Sequence, residues 1–123
     1  MSAPAPQGAV DGAVGAARAY LRITGPDEDA VLGVLARAAI AVGEQFTGTC
    51  FVARTQETAS EAGPPREPVL AADWGSLPAG IAHGVVMLTA HLFEARGRDT
   101  APPAAVAALW RPYRRMRLAG VGS

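Results

Sequence analysis

Residues 77–96 read LPAGIAHGVVMLTAHLFEAR and carry the strongest helical signal in the chain. Ser76 is a suitable N-cap, Pro78 suits a first turn, and Gly97 would end the helix. One apolar stripe repeats at helical spacing and consists of Ile81, Val85, Leu88 and Leu92. A second stripe, roughly 100 to 140° around the helix, consists of Ala82, Val86, Thr89 and Phe93. A helix that is apolar on two faces must be covered from two directions.

Two arrangements would cover both faces of this helix. Either it is the central helix of a small bundle wrapped by its own chain, or Val86 and Phe93 meet a neighbouring subunit. The chain has 123 residues, half of them hydrophobic, which suffices for one compact domain and is too short for two. We therefore predict a mainly α-helical bundle of about three to four helices with a short β-hairpin or extended region. Val86, Phe93 and Arg96 are the candidates for a subunit interface.

The chain that precedes this helix starts with small residues and continues into another helix. Residues 1–17 hold no large apolar side chain beyond Met1 and two valines, which predicts a flexible N-terminal arm. Residues 20–24 alternate apolar and polar side chains and favour a short extended segment. A helix is predicted from the acidic turn at residues 27–29 to Thr47, with Gly48 ending it. Its apolar stripe consists of Leu32, Leu35, Ala39, Val42 and Phe46.

Two short apolar runs lie between the two predicted helices. Residues 49–54 and 69–73 predict strands, and the polar, Pro-rich residues 55–68 predict a solvated surface loop between them. Arg37 and Glu44, on the helix before the first strand, are expected to point away from the core. This part of the chain therefore supplies a small β element beside the bundle.

The end of the chain combines aromatic and basic side chains. Residues 100–103, TAPP, open a further helix with Val106, Leu109 and Trp110 on one side, and Pro112 ends it. Beyond it, residues 113–118 read YRRMRL, either as a helical turn or as an extended strand. Both place apolar anchors beside guanidinium groups, and a solvated helix end with Arg near the negative pole of the dipole is a further interpretation.

Charge is distributed unevenly along the chain. Residues up to 99 hold seven Arg against eleven Asp and Glu, roughly −4, whereas residues 100–123 hold four Arg and no acid, roughly +4. The chain contains no lysine, so its positive charge comes only from the planar guanidinium group. The asymmetry favours head-to-tail self-association or docking on an acidic partner over general affinity for nucleic acid.

The residues that could carry chemistry do not form a recognisable site. Cys50 is the only cysteine, which excludes an intrachain disulfide and a CxxC motif, and we predict that it is a small buried apolar residue. His83 and His91 are eight residues apart and, with Glu94, provide too few convergent ligands for zinc. Residues 8–15, GAVDGAVG, lack the lysine of a phosphate loop. We expect no metal, no cofactor and no catalytic residue.

Compartment signals are weak. No basic residue precedes the apolar part of the N-terminus and Asp11 interrupts it, which argues against a secretory signal. The uncharged residues 74–93 contain too many glycine, histidine and other polar positions to span a bilayer. We therefore predict a protein made in the cytoplasm that has no membrane partner.

Six short segments together resemble one family of proteins. They are AYLRIT at 19–24, DEDAVL at 27–32, EQFTG at 44–48, LPAGI at 77–81, AHLFEARG at 90–97 and PYRRMRL at 112–118. In this combination the chain resembles the head-tail connector, or adaptor, proteins of tailed phages, especially those of gene transfer agents. The resemblance covers about residues 19–118 and is most specific in AHLFEARG followed by PYRR. Residues 55–75 do not match the family pattern.

The resemblance implies a structural virion protein rather than an enzyme. The connector domain would span residues 18–118, between the arm and a short tail at 119–123, and would form a dodecameric ring under the portal. Such a ring extends the DNA channel and gives the next tail component an attachment surface. The implied partners are copies of the chain itself, the portal protein, a tail-proximal stopper or head-completion protein, and DNA that passes without sequence specificity. The protein would be made in the bacterial cytoplasm and end in the virion.

By position, the C-terminal segment would dock on the portal. The residues assigned to docking are Trp110, Arg111, Tyr113, Arg114, Arg115, Met116, Arg117 and Leu118. Arginine and aromatic side chains concentrate energy at interface centres, and a ring needs heterologous contacts that an acidic body and a basic end can supply. The alternative is a small helical module that binds nucleic acid through the C-terminal arginine cluster.

Overall fold

The computed structural model describes residues 5–54, 68–96, 98 and 100–114. Within them the chain forms helices α1 (Gln7–Leu21), α2 (Asp29–Thr47), α3 (Ala79–Glu94) and α4 (Ala104–Trp110). Strands β1 (Cys50–Val52) and β2 (Val69–Ala71) lie between α2 and α3, and short 3₁₀ turns precede α3 and follow α4. The predicted mainly α-helical bundle with a small β element is confirmed.

Helix α1 corrects the predicted N-terminal arm. Residues 7–17, expected to be flexible, are helical, and Tyr20 and Leu21, expected to be extended, belong to the same helix. One face of small apolar side chains is buried and consists of Ala9, Val10, Ala13, Val14 and Ala17. Small side chains lose little rotamer entropy on burial and let α1 pack closely on both α2 and α3. Residues 1–4 of the predicted arm lie outside the described part of the chain.

Helix α2 matches its predicted bounds, but its buried face is rotated from the predicted stripe. It ends at Thr47, and Gly48 adopts a positive φ of 73° that favours glycine. The residues that it buries are Leu32, Ala36, Ala39, Ile40, Gly43 and Thr47. Val42, expected in the core, is 51% exposed, because α1 and α3 cover the side of the helix that carries the alanines and Ile40.

Glu44 was predicted to point away from the core and instead fastens β1 to α2. Its Oε2 accepts a hydrogen bond from the backbone N–H of Phe51 at 2.8 Å, and its Oε1 pairs with Arg54 Nη2 at 2.7 Å. Arg54 Nη1 also donates to the carbonyl of Val52 at 2.7 Å. The carboxylate therefore fixes the strand through one backbone donor and one guanidinium group.

The two strands pair in parallel, with Cys50 opposite Val69 and Val52 opposite Ala71. A β-hairpin is antiparallel, so that alternative is wrong, although both strands lie where they were predicted. The 16 residues from 53 to 68 are long enough for the crossover that parallel pairing requires. Residues 55–67 of the predicted loop lie outside the described residues.

Helix α3 is the centre of the bundle and contacts α1, α2 and α4. Ile81 and Val85 of the first stripe and Thr89 of the second are fully buried, so the chain's own helices cover both faces. Ser76 does not cap this helix: Pro78 occupies the N-cap position. Asp73 instead caps the preceding 3₁₀ turn through the backbone N–H of Ser76 at 2.9 Å.

Trp110 of α4 fills the space between α2 and α3. It is 2% exposed, and its indole Nε1–H donates to the carbonyl of Ile81 at 3.2 Å. Two glycines make room for the ring: a Cβ on Gly84 would lie 2.7 Å from Trp110 Cε2, and one on Gly43 would lie 2.9 Å from its Cη2. Phe51 packs edge-on against the indole, with centroids 6.0 Å apart. Trp110 therefore connects α4 to α2, α3 and β1.

Candidate functional site: the base of the C-terminal segment

The predicted docking residues divide into three groups in the structure. Trp110 lies in the core, so its assignment to a docking surface is corrected: the indole is covered by its own chain. Arg111, Tyr113 and Arg114 are described and lie at the surface or are half-buried. The remaining four lie outside the described residues and are Arg115, Met116, Arg117 and Leu118.

A 3₁₀ turn at Arg111–Tyr113 follows α4 and bends the chain back over α3. The backbone N–H of Arg114 donates to the carbonyl of Arg111 at 3.0 Å and closes the turn. Gly80, in the first turn of α3, lies beside the Tyr113 ring, since a Cβ there would be 3.7 Å from Tyr113 Cε2 and 3.4 Å from the carbonyl oxygen of Leu109. The turn therefore sits close on the N-terminal end of α3.

Arg114 connects the same turn to the end of α2. Its guanidinium carbon lies 5.2 Å from the centroid of the Phe46 ring, within the range of a cation–π contact. Phe46 in turn packs against Trp110, with ring centroids 6.3 Å apart. Tyr113 and Arg114 thus rest on two different helices of their own chain, and we call this arrangement of Gly80, Phe46, Tyr113 and Arg114 the tail base.

The charge at the tail base is positive. Arg111 and Arg114 are exposed, and within the described ranges neither takes part in an ion pair. Glu44, two residues before Phe46, is already paired with Arg54. Asp73 accepts hydrogen bonds from the N–H and hydroxyl of Ser76. The Arg111 guanidinium therefore remains able to meet an acidic surface, whereas that of Arg114 lies over the Phe46 ring.

The predicted subunit-interface residues lie in different environments. Val86 is 7% exposed in the single chain and offers little surface to a neighbour. Phe93 is half-buried beneath Arg96, whose guanidinium carbon lies 4.3 Å from the ring centroid. Arg96 Nη1 also lies 4.0 Å from a carboxylate oxygen of Glu28 at the start of α2. Of the three residues, Phe93 and Arg96 remain partly or fully exposed to solvent, at the end of the bundle opposite the tail base.

A valine face on α2 was missed by the analysis of the sequence. Val34 is 66% exposed, Val42 51% and Val31 36%, and all three belong to the same helix. Their spacing would have revealed an apolar outer face only if the buried face had been placed correctly on the alanines. By length and composition α2 could cross a membrane, but the core helix of a soluble protein passes the same test, and α2 buries its other face against α1 and α3.

The histidines and the cysteine make separate local contacts. His83 packs edge-on against Tyr20, with centroids 6.3 Å apart, and His91 Nε2 lies 3.4 Å from the carbonyl of Thr100. Cys50 is partly exposed rather than buried, and its Sγ lies 3.6 Å from the carbonyl of Val52. In the part of the chain that the structure describes, no three His, Cys, Asp or Glu side chains form a group that could hold a metal ion.

A groove of about 490 Å³ runs between α1 and α2. Val10 and Val14 line it, and the Arg18–Asp29 pair, with 3.4 Å between Nε and Oδ1, lies along it. Gly15 and Gly33 also line the groove, and a Cβ added to either would meet no atom within 4 Å. The lining mixes apolar, glycine and oppositely charged positions without a convergent set of reactive groups.

Comparison with known proteins gives one informative result. No family model matches the chain, and no curated protein matches it. Among solved structures, the fold is similar to that of a chain in the neck of an empty gene transfer agent (GTA) particle, computed with C6 symmetry. The TM-score is 0.67, the sequence identity is 21%, and the similarity covers 98% of this chain and 98% of the other. At this identity the likeness establishes a shared fold over essentially the full length of both chains.

Proposed function

We propose that this chain is a structural component of the neck of a phage-like particle and acts there as a head-tail connector. The observation that carries the proposal is the full-length fold similarity to a chain in the neck of a GTA particle. A partial match could reflect a common helical motif, whereas coverage of 98% of both chains leaves no additional domain in the neighbour to carry a separate role. The role is structural rather than enzymatic, and the protein belongs in the particle.

In this proposal the subunits form a closed ring under the portal. The neck that contains the similar chain was computed with C6 symmetry, and a dodecameric ring is compatible with a sixfold axis. The valine face of α2, formed by Val31, Val34 and Val42, provides exposed apolar area for contact with a second copy of the chain. Phe93 and Arg96 remain candidates for the same contact. The ring would extend the DNA channel without reading the DNA sequence.

The C-terminal segment supplies the attachment to the portal, and the opposite side of the ring receives a stopper or head-completion protein. Since Trp110 is in the core, Tyr113 rests on α3 and Arg114 lies over Phe46, direct docking falls on Arg111 and on the residues after Arg114. Residues 115–118 read RMRL and alternate guanidinium with apolar side chains, a combination that is common at interface centres.

The test is a pair of truncations of the full-length protein. A variant that ends at Arg114 should fold and assemble but should leave filled heads without tails, because it lacks residues 115–118. A matched control that ends at Leu118 removes only residues 119–123 and should join heads to tails as the full chain does. Electron microscopy of particles from complementation of a null strain measures the joined fraction. Filled heads with attached tails in the variant that ends at Arg114 would overturn the docking role.

The alternative function, a nucleic-acid-binding module, makes a different prediction for the free subunit. If the arginine cluster grips phosphates, affinity for DNA is measurable at low salt and falls steeply as salt increases. Under our proposal the isolated subunit shows no such salt-dependent binding. A fluorescence-anisotropy titration with duplex DNA at two salt concentrations distinguishes the two functions.

A further inference from the structure

We propose that Phe46 is a positioning residue for portal docking, because it holds Arg114 and thereby fixes where the C-terminal segment leaves the subunit. The inference rests on the proposed function and deepens it. It assigns to Arg114 a role within its own chain, where the analysis of the sequence assigned direct contact with the partner.

The contacts at the tail base come from both sides of the segment. On one side, the Tyr113 ring lies against Gly80 in the first turn of α3, where a Cβ would be 3.7 Å from Tyr113 Cε2, an ordinary van der Waals contact. On the other side, the Arg114 guanidinium lies over Phe46 in the last turn of α2. The segment is therefore held between the start of α3 and the end of α2 at its last two described residues.

The backbone at Arg114 gives the held segment a direction. Tyr113 ends the 3₁₀ turn, and Arg114 is extended, with φ −73° and ψ 126°. The nine residues from 115 to 123 can reach at most about 30 Å when fully extended. A short segment binds well only when the residue from which it starts is held in a fixed position. A mobile starting residue lowers the effective concentration of the docking residues at their site.

The contact is exposed and weak by itself, so its loss should change docking without unfolding the subunit. A surface cation–π contact corresponds to a change of roughly two- to fivefold in an equilibrium constant. Phe46→Leu keeps an apolar side chain against Trp110 and removes the ring under Arg114. Phe46→Tyr retains the ring and is the conservative variant.

The first experiment measures the apparent affinity of full-length subunits for isolated filled heads by co-sedimentation. Phe46→Leu and Arg114→Gln should each weaken binding roughly two- to fivefold, and the double variant should be no weaker than either single variant. Phe46→Tyr should restore the wild-type affinity. Arg22→Gln removes an exposed guanidinium at the end of α1 and is the matched control without effect. Additive losses, or a loss with Arg114→Gln alone, would mean that Arg114 contacts the partner directly and would overturn the proposal.

The second experiment needs no partner and separates this proposal from the proposed function. Trypsin cleavage after Arg114 requires the tail base to open, so Phe46→Leu should accelerate that cleavage roughly two- to fivefold in the free full-length subunit. Cleavage after Arg117 serves as the internal reference and should be unchanged. Equal rates in Phe46→Leu and wild type would overturn the anchoring role even if the truncation experiment supports docking. Accelerated cleavage in Phe46→Leu, together with normal tail attachment in the variant that ends at Arg114, would reject the docking function. The contact between Phe46 and Arg114 would then be a local structural contact only.

Discussion

Replacement of Gly84 by alanine tests the packing of Trp110 directly. Gly84 is in the middle of α3, and the Trp110 indole lies in the space that a side chain at this position would occupy. A Cβ at this position would overlap Nε1 and lie 2.7 Å from Cε2 and 2.9 Å from Cδ1. The indole is buried, so it cannot swing into solvent, and because the overlapping atom Nε1 also donates to the carbonyl of Ile81 at 3.2 Å, a shift of the ring disturbs that hydrogen bond.

The expected cost exceeds the gain in helix propensity. Overpacking a buried site costs about 1–3 kcal/mol. Leaving a buried N–H without its acceptor costs a further 1–3 kcal/mol or so. Alanine is better than glycine in a helix by about 0.8–1.0 kcal/mol, which offsets part of the loss. We therefore expect Gly84→Ala to lower the free energy of unfolding by about 3 kcal/mol and the melting temperature by roughly 10 °C or more.

Urea denaturation at one fixed protein concentration, followed by circular dichroism and tryptophan fluorescence, measures the change. Gly33→Ala is the matched control, because Gly33 is also inside a helix but a Cβ there meets nothing within 4 Å. The control should gain about 0.5–1 kcal/mol from propensity. A Gly84→Ala variant as stable as the Gly33→Ala control would refute the packing of Trp110 on α3. In a Trp110→Phe background the cost of Gly84→Ala should shrink, since the indole Nε1, the atom nearest the added Cβ, is then removed.

Two further substitutions test the β element and the proposed contact between copies of the chain. Glu44→Gln should lower the free energy of unfolding by about 1–3 kcal/mol in urea denaturation, because the carboxylate accepts from Phe51 N–H and pairs with Arg54, and the side chains of Glu44 and Arg54 are only 17% and 13% exposed; a variant with wild-type stability would contradict that role. Val34→Asp changes a side chain that is 66% exposed and should leave the melting temperature within about 1 °C of wild type. Under the proposed function it should nevertheless prevent ring formation in sedimentation velocity, and assembly equal to that of the wild type would exclude the valine face as a contact between copies.

The elements with large side chains at helical spacing could be predicted from the sequence. Helices α2 and α3 have such a pattern together with recognisable ends, such as Gly48 with its positive φ. Helix α1 could not be predicted in this way, because its buried face consists of alanine and valine only. A face of small side chains is stabilised by close packing against other helices. The sequence does not show which helices these are, so only the fold reveals the contact.

The orientation of the strands and the buried face of α2 also depend on tertiary structure. Two strands separated by 16 residues can pair in either direction, and the sequence does not state which crossover the chain takes. On α2, alanines lie in the core beside Leu32 and Ile40 while three valines face out, so the buried face does not simply follow the ranking by hydrophobicity. Because α1 and α3 lie close to α2, the space between them admits mainly small side chains. The volume available for each side chain therefore determines which face of α2 is buried.

The assignment of Trp110 illustrates why a candidate interface is hard to separate from a core by composition. The chain has two Trp, three Phe and two Tyr, and its helices meet through alanine and glycine faces. A bundle built from small residues needs a large side chain to fill the space where α2, α3 and α4 converge, and Trp110 does so over Gly43 and Gly84. Aromatic and arginine side chains, which often contribute most of the binding energy at interfaces, therefore hold the end of their own chain here, at Trp110, Tyr113 and Arg114. Under the proposed function, Arg111 and the residues after Arg114, where guanidinium and apolar side chains alternate, are left for the partner, and their binding depends on how firmly Tyr113 and Arg114 are held.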